Sequence, residues 1–375
     1  MSVILELTRQ ITAEVIAPAA AAVDAERRFP KESMQALGKA GLFGLLVPKE
    51  LGGLGGNLAD LSAVTETIAA ACGSTAMCFL MHNCATAVVT AKATPEQQER
   101  YLRPIARGEK LGTLAFSETG TGAHFYAPEI KAEPEAGQFV LNGKKSFVTN
   151  GDEADFVIVI ANASSPELGT DMFIVDTDAP GLRFDGVWDG IGLSGNNSIA
   201  LFLERVKVSA AQLVGAEGDG MGLVFQVVAP TFILGVAGVN AGIARGAYET
   251  ALRHAQTRKY ADGRGLAELQ AIQFYLSDMF GGVESASLFV SNAAAKAVRG
   301  DADAILHVMQ SKVQASEQAI RVTNIAMQVC GGQGYTKALP TERYLRDARA
   351  GAVMAPTTEV LKEWIGKSVA GVPLF

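Results

Sequence analysis

The spacing of apolar residues changes twice along this 375-residue chain. From residue 1 to about 111, and again from about 213 to the end, apolar residues recur at helical spacing, as at Met34, Leu37 and Leu42. Between 112 and 212 they form short β-rich runs such as "DFVIVIANA", "DMFIVDT" and "SIALFLERVKV". Successive strands without intervening helices favour an antiparallel barrel or sandwich. We therefore predict an α+β chain with a helical domain (1–111), a β domain (112–212) and a second helical domain (213–375).

Turn and capping signals subdivide these regions. Thr94 followed by Pro95 is a typical helix start. Gly73 interrupts a long apolar stretch, which predicts a buried helix pair broken near that glycine. In the β region, Asn142-Gly143 separates "QFVL" from "KKSFV" and predicts a hairpin turn.

Charge and hydropathy argue against several classes of protein. The formal net charge is −7 and the 32 Lys and Arg residues are spread along the chain, so we expect no continuous surface for nucleic acid. No window approaches about eighteen consecutive apolar residues, which argues against a membrane span. The N-terminus reaches Glu6 and Arg9 before an apolar core forms, which does not fit a signal peptide. A cytoplasmic protein is expected.

Cysteine and histidine spacing indicates neither a disulfide framework nor a metal site. No Cys-x-x-Cys pair and no His-x-x-x-His pair occurs. Free and mostly buried thiols are expected at all four cysteines, which are Cys72, Cys78, Cys84 and Cys330.

Three glycine-containing motifs bear on ligand binding. "GIGLSG" (190–195) matches Gly-x-Gly-x-x-Gly, but a strand rather than a helix is expected after it, so a Rossmann motif is not supported. "LAFSETGTGAHF" (114–125) could offer hydroxyl and N–H groups to a polyoxygenated ligand, or could form a capped turn. "CGGQGY" (330–335) poses the same choice, because glycines after a long helix commonly form a C-cap.

Seven segments together resemble the acyl-CoA dehydrogenase family in order and approximate spacing. They are "LFGLLVPKELGGLGG", "SETGTGAHF", "LNGKKSFVTNGDEADFVIVIA", "LERVKVSAAQLVG", "GRGLAELQAIQFYLSDM", "QVCGGQGY" and "ERYLRDARA". The resemblance implies a helical N-terminal domain, a middle β-barrel, a C-terminal four-helix bundle and bound FAD. It also implies an acyl-CoA or acyl-carrier-protein thioester as substrate and an electron-transfer flavoprotein as a possible partner. The implied assembly is a homotetramer or homodimer in which a neighbouring subunit completes each FAD site.

The same resemblance assigns residues to FAD. Phe116 and Ser117 would lie against the flavin, Phe147 would cover its ring system, and Thr149 would bond its N5. The remaining positions would contact the phosphates, the adenosine end or the flavin edge, and they are Arg258 (or Lys259), Gln270, Gln328, Gly331, Gly332, Thr357 and Glu359.

The base that removes the substrate's α-proton is missing from both positions that the resemblance implies. Most members carry a glutamate where this chain has Ala355, and a minority carry it where this chain has Thr231, beside an arginine that is Phe232 here. His82 and Glu359 are candidate substitutes. The alternatives are a hydrogen-bonded core histidine for His82, and a solvated helix residue or a group near the flavin for Glu359.

Other departures keep three functions open. Gly122-Ala123-His124 stands where the family has Gly-Ser-Asp, and Asp262-Gly263 where an aromatic residue precedes glycine. The first function is an FAD-dependent oxidoreductase of acyl thioesters, catalysing α,β-dehydrogenation or related flavin chemistry with a relocated or absent base. The second is a non-catalytic partner subunit in a hetero-oligomer. The third is a flavin-dependent monooxygenase or β-elimination variant on the same fold.

Overall fold

The N-terminal region is an assembly of helices. The computed structural model describes residues 3–374, and positions 1, 2 and 375 of the predicted terminal domains lie outside the described residues. The helices are α1 (Val3–Ile11), α2 (Ala17–Ala25), α3 (Lys31–Lys39), α4 (Leu58–Ala69), α5 (Gly73–Lys92), α6 (Pro95–Gln97) and α7 (Arg103–Ala106). α5 begins at Gly73 after the extended Cys72, and Thr94 caps α6 in a reciprocal capping box with Gln97. Both predicted helix starts are confirmed.

The middle region is a seven-stranded sheet within the described chain. Its strands are β1 (Gly112–Ala115), β2 (Lys131–Glu135), β3 (Gln138–Val148), β4 (Phe156–Asn162), β5 (Thr170–Asp176), β6 (Leu182–Asp185) and β7 (Ile199–Ser209). The strand order is β1-β4-β2-β3-β7-β6, with β5 paired to β4. The predicted β domain between two helical regions is confirmed.

The sheet is an open half-barrel, and its strands are not all antiparallel. β1 runs parallel to β4, and the end of β2 also meets β4 in parallel, whereas the other pairs are antiparallel. The long connection between β1 and β4, which contains β2 and β3, allows the chain to return in the same direction.

The predicted hairpin turn at Asn142-Gly143 is wrong. Both residues lie inside β3, which pairs with β7 on each side of a register shift between Leu141 and Gly143. The Asn142 side chain accepts a hydrogen bond from the Arg205 N–H (2.8 Å), as expected at a bulge. The reversal occurs earlier, at Ala136 and Gly137, where both residues have positive φ.

Alternate side chains of β4 pack on opposite faces of the strand, into two different cores. Val157, Val159 and Ala161 face the interior of the half-barrel. The intervening Phe156, Ile158 and Ile160 belong to the large core shared with the N-terminal helices. β4 is therefore buried on both faces, which explains its continuous apolar sequence.

The C-terminal region is a helical bundle. Its helices are α8 (Gly220–Leu223), α9 (Ala229–Thr257), α10 (Gln270–Arg299), α11 (Ala304–Gly334), α12 (Thr341–Ala348), α13 (Ala350–Val353) and α14 (Thr358–Ala370). α9, α10 and α11 pack together, α14 packs on α11, and α4 packs on α9. The predicted four-helix bundle is confirmed.

α9 is the central helix of this bundle. Among the described residues, one stretch, Gly220–Thr257, is long and apolar enough to cross a membrane, but 67% of its apolar window is buried inside the protein. Its glycines permit close packing: a Cβ at Gly242 would lie 2.2 Å from the Glu66 carbonyl oxygen of α4. The four cysteines are free and buried, as expected.

Candidate functional site

A cavity of about 610 Å³ lies where the sheet, α5, α9 and the segment after α12 meet. Its apolar part comes from α5, β1, the start of α9 and the segment after α13. The residues are Met77, Met81, Leu114, Val228, Ala229, Phe232, Met354, Ala355 and Pro356. The polar part comes from strand ends and loops, and includes Ser117, Glu118, Thr119, Ser146, Thr149, Asn196 and Ser198. One space therefore joins an apolar compartment to a wall of hydroxyl and amide groups.

Four of the residues assigned to the flavin line this cavity. Phe116, Ser117, Phe147 and Thr149 all lie on its wall. Thr149 and Ser198 share a hydrogen bond of 2.7 Å between their hydroxyl oxygens. Phe147 is 67% exposed and has a φ of 54°, a strained backbone for an aromatic residue. An exposed aromatic ring on a strained backbone at a cavity mouth is typical of a ligand contact.

The loop containing "GIGLSG" also belongs to the cavity. Gly190, Gly192 and Leu193 line it, although β7 rather than a helix follows, as expected. Trp188 donates a hydrogen bond from its ring N–H to the Leu193 carbonyl (3.0 Å) and packs edge-on against Phe147. Sequence reasoning missed Trp188, because nothing in the local pattern linked it to Phe147.

A buried ion pair fixes the loop "SETGTGAHF". The Lys145 ammonium on β3 bonds the Glu118 carboxylate and donates to the Ile160 carbonyl (2.7 Å). The Glu118 carboxylate also accepts a hydrogen bond from the Glu129 N–H (2.7 Å). Burial lowers the pKa of Lys145 to about 8. Sequence analysis did not identify this pair, although Lys145 occupies an inward position of its strand.

Neither base position carries a carboxylate, as the sequence requires. Ala355 is half-buried on the cavity wall. Thr231 is buried and donates its hydroxyl to the Val227 carbonyl within its own helix (2.7 Å), and Phe232 occupies the wall beside it. The apolar compartment is therefore closed on this side by a phenyl ring.

His82 is a core histidine, which agrees with the alternative to a substitute base. Its Nδ1 accepts a hydrogen bond from the Gly112 N–H (3.0 Å), so its Nε2 carries the proton donated to the Phe43 carbonyl (3.1 Å). The side chain is fully buried and is not part of the cavity wall. Burial lowers its pKa to about 4. One ring nitrogen therefore joins α5 to the start of β1, and the other joins α5 to the turn after α3.

Glu359 does not reach the cavity either. It is exposed in the first turn of α14, accepts a hydrogen bond from the Thr358 hydroxyl (3.0 Å), and has a lowered pKa because of backbone and hydroxyl donors. Among the described wall residues, the titratable groups are Glu118, Arg346 and Arg349. Glu118 is paired with Lys145, so the wall offers no free carboxylate or imidazole within residues 3–374. This part of the chain also contains no cluster of His, Cys, Asp or Glu that could hold a metal ion.

A buried lysine supports the segment in which the base is missing. Lys312 of α11 is fully buried and donates to the Met354 carbonyl (2.8 Å) and to the Pro356 carbonyl (2.6 Å). Burial lowers its pKa to about 7. Pro356 precedes the capping Thr357 and lies outside α14.

The other residues assigned to FAD lie away from the cavity. They are exposed or partly exposed at helix ends and at a kink of α11, and comprise Arg258, Lys259, Gln270, Gln328, Gly331, Gly332 and Thr357. Gly331 has non-helical angles (φ 54°, ψ −138°), so "CGGQGY" kinks the helix before it ends. Thr357 accepts a hydrogen bond from the Val360 N–H as the N-cap of α14. Their contact with a flavin stays a prediction.

The fold is that of acyl-CoA dehydrogenases, and the chain belongs to the acyl-CoA dehydrogenase family. The family's N-terminal domain model matches residues 2–109, its middle domain model 113–206, and its C-terminal domain model 233–370. The similarity therefore extends over all three regions of the fold.

Particular relatives cover nearly the whole chain. A cyclohex-1-ene-1-carbonyl-CoA dehydrogenase of Geobacter metallireducens is 32% identical over 97% of this chain and 96% of its own length. A 3-(aryl)acrylate reductase of Clostridium sporogenes is 35% identical over 95% of both chains. The three-dimensional structure of butyryl-CoA dehydrogenase from Megasphaera elsdenii superposes with a TM-score of 0.92, at 28% identity over 99% of both chains.

Proposed function

We propose that this protein is an FAD-dependent oxidoreductase that acts on an acyl thioester without a carboxylate base at position 355 or 231. One observation carries the proposal: a single cavity combines four residues assigned to the flavin with an apolar compartment, while Glu118, the one carboxylate among the described wall residues, is paired with Lys145. The reaction is α,β-dehydrogenation or a related flavin reaction at the same carbons.

The polar wall fits a flavin. The Asn196 amide oxygen is buried on this wall and has no hydrogen-bond donor among residues 3–374, so a ligand N–H such as that of a flavin pyrimidine ring would satisfy it. Phe116, Ser117, Phe147 and Thr149 would hold the ring system between them. When bound, FAD supplies a hydride acceptor next to the apolar compartment.

The apolar compartment fits the acyl chain. Met77, Met81 and Phe232 present flexible or aromatic surfaces that exclude water from it. At its end the Ala355 N–H has no acceptor within the described chain, which leaves a donor for the thioester carbonyl. Polarisation of that carbonyl makes the α-proton more acidic.

Proton removal is the step at which this chain is expected to differ from most family members, because it has no glutamate at position 355 or 231. A positioned general base contributes roughly 10²- to 10⁴-fold to a rate. Since no wall residue between 3 and 374 offers a free carboxylate or imidazole, we propose that a water molecule takes the α-proton. Thioesters with an acidified α-proton are therefore the preferred substrates.

Assembly and electron transfer complete the proposal. The exposed Arg258, Gln270 and Gln328 would contact the FAD of a neighbouring copy in a homodimer or homotetramer. An electron-transfer flavoprotein is the proposed acceptor, and the cytoplasm the proposed compartment.

Anaerobic flavin spectroscopy tests the function. The purified protein should carry FAD, and its absorbance near 450 nm should bleach slowly with saturated acyl-CoA. Ala355→Glu should raise the bleaching rate by roughly 10²- to 10⁴-fold. Ala355→Gln, which has nearly the same volume but no basic group, is the matched control and should not.

Three results would contradict the proposal. Stoichiometric FAD with no bleaching by any acyl thioester, even in Ala355→Glu, would exclude dehydrogenation. Colourless protein that gains FAD only when co-expressed with a homologue would indicate a non-catalytic partner subunit. Substrate-dependent oxygen consumption with a flavin reductase would indicate a monooxygenase.

A further inference from the structure

Lys312 is a buried cation that bonds main-chain atoms instead of a carboxylate. Among the described residues no carboxylate lies within ion-pair distance of it, and the charge that most favours its protonation, on Glu359, is itself exposed. Its neighbours along α11, Val308 and Val313, belong to a buried apolar cluster that also contains Ile233 and Leu361. Burying an ammonium in such a place is costly unless its hydrogen bonds are made.

The two bonds that it makes both constrain Ala355. The Met354 carbonyl, 2.8 Å from Nζ, belongs to the peptide unit that also contains the Ala355 N–H. The Pro356 carbonyl, 2.6 Å from Nζ, follows Ala355 on the other side. Both bonds come from one amino group, which can donate them in its charged and in its neutral form, so the main chain is held on both sides of Ala355.

Peptide geometry then sets the direction of the Ala355 N–H. The Met354–Ala355 peptide bond is trans, so its C=O and N–H lie in one plane and point in opposite directions within that plane. Because the carbonyl points at a fully buried ammonium, the N–H points away from α11. Ala355 lies on the cavity wall, and its N–H has no acceptor within residues 3–374.

We infer that Lys312 is a positioning residue: by holding the Met354 and Pro356 carbonyls it aims the Ala355 N–H at the substrate's thioester carbonyl. The inference rests on the proposed function, since it needs an acyl thioester in the cavity. It assigns to α11 a role in polarising the substrate without contact between Lys312 and the substrate.

Difference infrared spectroscopy of a bound thioester tests this role. The probe is crotonyl-CoA carrying ¹³C at the thioester carbonyl, added to the FAD-loaded protein. In the natural protein its carbonyl stretch should shift to lower frequency than in water, because the carbonyl accepts the Ala355 N–H. Lys312→Met keeps the length of the side chain but removes the donor, and should lose most of this shift and about tenfold in affinity.

Two further variants separate positioning from stability. Lys362→Met removes an exposed lysine of α14 that pairs with Glu317, and should leave the shift unchanged. Ala355→Pro removes the N–H while keeping Lys312, and should abolish the shift even if Lys312→Met fails to fold.

The outcomes distinguish this inference from the proposed function. If FAD and crotonyl-CoA bind but Lys312→Met or Ala355→Pro keeps the full shift, the role of Lys312 is refuted and the proposed function stands. The same holds if the bound probe shows no shift in the natural protein. If neither FAD nor the thioester binds, the proposed function fails and the inference fails with it.

Discussion

Removing the buried Lys145 ammonium should destabilise the protein far more than removing a surface lysine. In Lys145→Met the Glu118 carboxylate stays buried, with only backbone donors from Glu129 and Ile130. Breaking one partner of a buried pair costs about 3–5 kcal/mol, a large part of the 5–15 kcal/mol that stabilises a typical native protein.

Urea unfolding followed by fluorescence measures this cost in a double-mutant cycle. Lys145→Met alone should lower the free energy of unfolding by about 3–5 kcal/mol. Adding Glu118→Gln should recover part of the loss, because the neutral amide tolerates burial without a cation. Lys207→Met, at an exposed lysine that pairs with Glu135, is the control and should cost less than about 1 kcal/mol. A cost for Lys145→Met as small as that of the control, or no recovery in the double variant, would refute the reasoning.

The other predictions concern pH, packing and strain. Burial lowers the pKa of His82 to about 4 in the folded protein, against 6.5 in the unfolded chain, so the unfolded chain binds more protons between these pH values. The free energy of unfolding should therefore fall by about 3 kcal/mol as the pH drops from 6.5 to 4. In His82→Gln the urea midpoint should fall less steeply over the same pH range. Gly242→Ala should destabilise the protein by about 1–3 kcal/mol, because the new Cβ would meet the Glu66 carbonyl. Gly281→Ala, on α10 with open space around it, should stabilise the protein by about 0.5–1 kcal/mol. Thermal unfolding of the two variants measures both changes in stability. Phe147→Gly should relieve positive-φ strain of about 1 kcal/mol and yet weaken FAD retention, measured by dialysis; unchanged retention would remove Phe147 from the flavin site.

The long elements could be predicted because their patterns are strong. The break before Gly73 and the cap at Thr94 depend on local chemistry that the sequence displays directly. Three strands escaped prediction: β1 and β6 have four residues each, and β2 contains Pro134. Their pairing depends on partners distant in sequence, so no local pattern reveals them.

The turn at Asn142-Gly143 was mispredicted for a related reason. Asn-Gly favours a two-residue hairpin only when the flanking runs pair with each other. Here both runs pair with β7, and the dipeptide becomes a bulge. Tertiary pairing therefore overrides the local signal.

The cavity could be predicted only in part. Ser117 and Thr149 follow from the resemblance to the family and both reach the wall, and Ala355 lies on the same wall. Lys145 and Lys312 could not be identified, because a lysine in a strand or helix ordinarily faces water and its burial is decided by the packing of other elements.

The two hydrogen bonds from Lys312 to the main chain around Ala355 make carbonyl binding at this position independent of proton removal. Lys312 bonds backbone oxygens, which every amino acid possesses, so the direction of the N–H does not depend on the side chain at position 355. A substitution there by any residue except proline changes what can accept a proton and leaves the main-chain N–H in place. A carboxylate at position 355 is therefore a single substitution away in this chain, and that substitution leaves the main-chain N–H where Lys312 holds it.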